Sequence, residues 1–114
     1  MNPITTHILD LSNGKPAEGV PVTLAIRQGG QDWKTLGGGT TDADGRLKTL
    51  LPQGLRLEAG TYRLQFNLAA YFRAQKVETF YPEASIVFTV HDASQNYHVP
   101  LLLSPHGYTT YRGS

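Results

Sequence analysis

Runs of alternating apolar and polar residues recur along this chain, and Gly, Pro, Asn or Asp ends each one within a few residues. Such punctuation leaves little room for long helices. It points to many short strands packed as an all-β sandwich or barrel. The strand-like runs fall at residues 4–11, 20–27, 33–36, 46–51, 60–68, 86–91, 97–103 and 108–112. Between them, Ser12-Asn13-Gly14-Lys15-Pro16, Gly29-Gly30, Gly37-Gly38-Gly39 and Asp44-Gly45 read as turns. One helix is expected, over residues 68–77, where Ala69, Ala70 and Ala74 accompany Phe72.

A chain of 114 residues is expected to form one domain, residues 1–114, around one core. Ten basic and nine acidic residues leave a formal charge of +1, and 39% of residues are hydrophobic. That balance offers nothing to a polyanion, so no nucleic-acid partner is expected. No apolar run nears the roughly 20 residues that cross a bilayer, so no membrane partner is expected either. The chain has no cysteine, which removes disulfides and thiolate metal sites. The first ten residues lack a basic region and a long apolar stretch, so they do not read as a secretory signal. A cytoplasmic location is the expectation, with the periplasm left open.

Alternation assigns side chains to faces. In residues 97–103, Tyr97, Val99, Leu101 and Leu103 share an apolar face suited to the core. His98, Pro100 and Leu102 take the other face, and partly apolar residues outside a core suggest a subunit interface. His98 is therefore the best candidate for chemistry, because an unperturbed imidazole titrates near 6.5 and suits proton transfer. The plain structural reading of His98, a ring bonded to a neighbouring strand, stands at even weight on these grounds alone. His7 by itself reads as a half-buried strand histidine, and His91 and His106 as solvated loop residues. No His pair has ligand-like spacing, so no metal is expected. Arg46 opens a strand after the Asp44-Gly45 turn, where a guanidinium can grip a carbonyl or carboxylate in a fixed plane, or merely cap a hairpin. Arg112 has the same two readings. Gly37-Gly38-Gly39 lacks the Lys-Ser/Thr and helix of a phosphate loop.

The end of the chain, HVPLLLSPHGYTTYRGS, concentrates polar groups where a strand otherwise needs apolar ones. Together with THILDLSNGKPAEGVPVTL (residues 6–24), TTDADGR (40–46) and FYPEASIVFTV (80–90), it resembles the transthyretin-related 5-hydroxyisourate hydrolases over essentially the whole chain. The resemblance implies a transthyretin-like sandwich of two four-stranded antiparallel sheets with one short helix. It implies a homotetramer, a dimer of dimers, with sites where dimers meet. It also implies hydrolytic ring opening of 5-hydroxyisourate in urate breakdown, without metal or organic cofactor. Carried residue by residue, the family pattern assigns catalysis to His7, Arg46, His98 and Ser114. Tyr111, Arg112 and Gly113 complete the terminal tetrapeptide as substrate-binding residues, and the free carboxylate of Ser114 is expected to join the site. Which imidazole is the base stays open, and two imidazoles in reach of each other would titrate as a unit.

Two other readings compete. One is a transthyretin-like carrier of a small aromatic ligand without chemistry. The other is a structural or carbohydrate-binding β-module with incidental histidines. A carrier needs an apolar channel and has no use for a base beside an arginine. The joint presence of His7, Arg46, His98 and the Tyr111-Arg112-Gly113-Ser114 ending favours the hydrolase.

Overall fold

The computed structural model describes residues 2–114. The strands are β1 (Ile4–Asp10), β2 (Lys15–Pro16), β3 (Pro21–Gln28), β4 (Asp32–Thr40), β5 (Arg46–Leu47), β6 (Gly60–Asn67), β7 (Glu83–Val90), β8 (Tyr97–Ser104) and β9 (Gly107–Thr110), and the helix α1 (Leu68–Ala74) follows β6. They form two sheets. One runs β2-β1-β8-β9, with the two-residue β5 also paired to β1, and the other runs β4-β3-β6-β7.

The inner faces of both sheets supply the core. Ile4 and Ile8 of β1, Leu24 of β3, Leu64 and Phe66 of β6, and Leu101 and Leu103 of β8 are fully buried. Strict alternation in β1, β6 and β8 turns one face of each strand inward. The sandwich with a short helix is as expected, with one addition. The pairing of β1 with β8 is parallel, whereas the other strand pairs run antiparallel. A hairpin turn forces antiparallel neighbours, but no turn joins β1 to β8, so their direction is set by core packing.

Among the boundaries that differ from the sequence reading, three have a clear local reason. The glycines 37–39 lie inside β4 and do not form a turn. A Cβ on Gly37 would strike the Leu50 carbonyl, and one on Gly38 would come within 2.5 Å of the Val22 carbonyl. The strand needs glycine there to pass close to its neighbours. The run expected at 46–51 keeps only two ladder residues. Beyond them the Asn2 side chain takes the place of a strand partner, donating to the Leu51 carbonyl at 2.6 Å and accepting from its N–H at 3.3 Å. The helix stops at Ala74, three residues early, because Lys76 turns left-handed at φ 59°. The Asn67 side chain caps its start, and Tyr71 fastens it to β1 by donating to the buried Asp10 at 2.7 Å.

Candidate active site

Three strands of the first sheet bring chemistry to its outer face. In the parallel ladder Thr5 stands opposite His98 and His7 opposite Pro100. On the other flank of β1, His7 stands opposite Arg46. Neighbouring strands lie about 4.8 Å apart, so His98 and Arg46 flank β1 with His7 between them.

Arg46 owes its place to the turn before it. Gly45 adopts φ +73°, and a Cβ there would collide with the Ile8 carbonyl. The Gly45 carbonyl accepts from the Ile8 N–H at 2.8 Å, docking the turn on β1. The Asp42 carboxylate accepts from the Asp44 and Arg46 N–H groups at 2.9 and 3.0 Å. The Arg46 N–H bond is the main reason its pKa is lowered; burial opposes the shift, and the Asp44 bond and the charges of Lys48 and Arg46 add to it. Asp42 thus makes its hydrogen bonds to backbone, and the guanidinium charge acts on it only as a lesser contribution. Among the described residues no carboxylate side chain lines the cleft that Arg46 enters.

That cleft has a volume of about 590 Å³ and is lined by Thr5, Arg46, Lys48, Asn96, His98 and Ser114, among others. His98 is half-buried in its wall. Its Nδ1 lies 2.8 Å from the Thr5 hydroxyl, and its Nε2 has no hydrogen-bond partner among the described residues. Burial, then the positive charges of Arg46 and His7, push the imidazole pKa below 6.5, and a bond to the Thr5 backbone pulls weakly the other way. The shift favours the neutral ring, and in the tautomer whose Nδ1–H donates to the Thr5 hydroxyl, Nε2 is left able to take a proton.

The chain end closes one side. The Gly113 N–H donates to the His98 carbonyl at 2.8 Å, forming an antiparallel bridge between these residues. The bridge continues the β8–β9 register past a two-residue gap. A Cβ on Gly113 would lie 2.7 Å from the His98 ring and 3.2 Å from Pro100 Cγ. Glycine is required because the tail backbone passes close against the imidazole. The same cover explains why Pro100 is buried although it points away from the core.

Of the residues singled out in the sequence, the cleft therefore gathers Arg46, His98, Gly113 and Ser114. His7 lies on the same face, near enough for its charge to act on His98, but not among the lining residues. Tyr111 and Arg112 are elsewhere. They border a smaller apolar cavity of about 240 Å³ between β7 and the end of β9, with Ile86, Phe88 and Val99. Sequence reasoning missed Thr5, Lys48 and Asn96. Lys48 was within reach, because it follows Arg46 by two residues and period two returns it to the same side. Thr5 was not, because its role depends on the parallel ladder. Among the described residues no group of three or more His, Cys, Asp or Glu side chains gathers to hold a metal ion, and no helix is long and apolar enough to cross a membrane.

Two β-sheets face to face, one short helix, and a cationic histidine cleft on the outer face of one sheet define a transthyretin-type sandwich. The chain belongs to the HIUase/Transthyretin family, which matches over residues 4–113. It is 45% identical over 113 residues to the 5-hydroxyisourate hydrolase of Salmonella typhimurium, covering 99% of this chain and 82% of that protein. Among solved structures, the 5-hydroxyisourate hydrolase of Klebsiella pneumoniae superposes with a TM-score of 0.83 at 38% identity, covering 97% of this chain and 98% of that one. Sea bream transthyretin in complex with thyroxine superposes with a TM-score of 0.90 at 33% identity, covering 97% and 94%.

Proposed function

We propose that this protein is a 5-hydroxyisourate hydrolase in which His98 is the general base. Its close relatives carry that activity in their names. The observation that carries the residue assignment is the His98 imidazole, anchored through Nδ1 to the Thr5 hydroxyl in the same cleft as Arg46; with Nδ1–H donating to Thr5, Nε2 is the acceptor. His98 is preferred to His7 as base because it lines the cleft and His7 does not.

In this reading Nε2 takes a proton from a water as its oxygen adds to an acyl carbon of the six-membered ring. The oxyanion that forms faces Arg46, with Lys48 adding positive charge at the cleft wall. Collapse breaks the ring C–N bond, and the proton held by His98 passes to the departing nitrogen. The product is a ureidoimidazoline carboxylate. General-base catalysis of this kind contributes roughly 10²–10⁴-fold. Ser114 supplies a hydroxyl at the open side, and Gly113 covers one side of the imidazole.

A homotetramer belongs to the same proposal. The half-buried Leu9 and Leu102 share the outer face with His98, and Leu11 beside them is 60% exposed. Strands β7 and β9 end their sheets with one side unpaired. Partners on these surfaces would narrow the open cleft. The deciding experiment follows the ultraviolet absorbance of freshly generated 5-hydroxyisourate with wild type, with His98→Asn and without protein. Decay with wild type no faster than without protein would reject the activity. Near-normal decay with His98→Asn would reject His98 as the base.

A further inference from the structure

Arg112 reads from sequence as a substrate ligand, but its surroundings fit another task. In the register that sets Gly113 opposite His98, alternation turns the preceding side chain to the opposite side of the sheet. There the guanidinium lies 4.5 Å from the centroid of the Tyr97 ring. It donates to the Gln95 side-chain carbonyl at 2.8 Å and to the Asn96 carbonyl at 3.4 Å. The segment that receives it is held by its own bonds. The Asp92 carboxylate accepts from the Ser94 N–H and hydroxyl at 2.9 and 2.6 Å, and the Tyr97 hydroxyl donates to the Asp92 carbonyl at 2.8 Å. A planar fork stacked on an aromatic face and bonded to a stiff turn makes a defined seat.

We propose that Arg112 is a positioning residue: it latches the chain end onto the β7–β8 turn, and so holds Gly113 against the His98 ring and Ser114 in the cleft. Its charge reaches no substrate atom. The inference rests on the hydrolase reading for its consequence in turnover, but the latch has a readout of its own. The Gly113 amide is hydrogen-bonded to His98 only while the tail is seated.

The test compares Arg112→Ala, Arg112→Lys, Gln95→Ala and the Arg112→Ala/Gln95→Ala double variant. Each is read by hydrogen exchange of the Gly113 amide and by kcat and KM on 5-hydroxyisourate. Arg112→Ala is expected to remove Gly113 protection and lower kcat by on the order of 10²-fold, as an ångström-scale misplacement does. Gln95→Ala is expected to produce part of both effects and to add little in the double variant. Arg112→Lys keeps a cation over Tyr97 and is expected to recover part of the loss. Unchanged Gly113 protection in Arg112→Ala overturns the latch whatever the turnover. A raised KM with unaltered kcat and no effect of Gln95→Ala restores Arg112 as a substrate ligand. Lost protection with full turnover leaves the hydrolase reading intact and refutes the positioning role.

Discussion

Gly113→Ala is the sharpest probe of how the chain end and the imidazole depend on each other. The added methyl would sit 2.7 Å from His98 Cδ2, so something must give by about 0.7 Å to reach the 3.4 Å of an ordinary contact. Overpacking of this size costs about 1–3 kcal/mol where the surroundings cannot yield. The tail is held by one N–H bond to the His98 carbonyl, worth about 0.5–1.5 kcal/mol net. Arg112 adds about 0.5–1 kcal/mol from its exposed contact with Tyr97 and about 0.5–1.5 kcal/mol from its bond to Gln95. The strain is therefore comparable with the hold, and the tail is expected to loosen while the sandwich stays intact. Loosening rehydrates His98, and because burial is the largest cause of its lowered pKa, the pKa rises toward 6.5. The expected outcome is a loss of kcat/KM of about 10²-fold from the misplaced chain end. Tm should barely move, since no core contact is touched. Absorbance kinetics on fresh substrate give the rate, and nuclear magnetic resonance titration of the His98 ring gives the pKa. Wild-type turnover together with an unmoved His98 titration would refute the argument that the tail is packed on the ring.

His98→Asn should cost about 10²–10⁴-fold in kcat and leave Tm and assembly nearly unchanged, checked by kinetics, calorimetry and light scattering. The acid limb of kcat/KM should fall below pH 6.5, because a base with a depressed pKa stays active into acid. Arg46→Gln should move that limb upward as well as lower the rate, and a limb that does not move would show that Arg46 does not act on His98. By linkage, His98 favours the folded state most above pH 6.5, where both states are neutral, and that advantage is lost as pH falls through its folded pKa. Leu64→Ala, at a fully buried site, should destabilise by about 2–5 kcal/mol in denaturant titration. Removing residues 111–114 should abolish turnover with the fold retained, and an active truncation would exclude the chain end from the site.

Period-two patterning made much of this protein legible before any coordinates. It separated Val99 and Leu101 from His98, and in the first strand it sets His7 on the face opposite Ile4 and Ile8. The Asp44-Gly45 turn ahead of Arg46 was legible too, since its chemistry is local. Even the seat of Arg112 was partly within reach, because alternation sets it on the face opposite Tyr111. What could not be read were relations between distant segments. The glycines 37–39 look like a turn until the carbonyls of Leu50 and Val22 come into view. The parallel pairing of β1 with β8 brings Thr5 to the His98 ring, and no local signal encodes a partner that far along the chain. Side-chain direction follows from the backbone of the residue itself, so sequence alone determines it. Which directions converge depends on how two sheets bury a shared core, and only the tertiary structure decided that His98, Arg46 and the chain end meet in one cleft while Arg112 turns away.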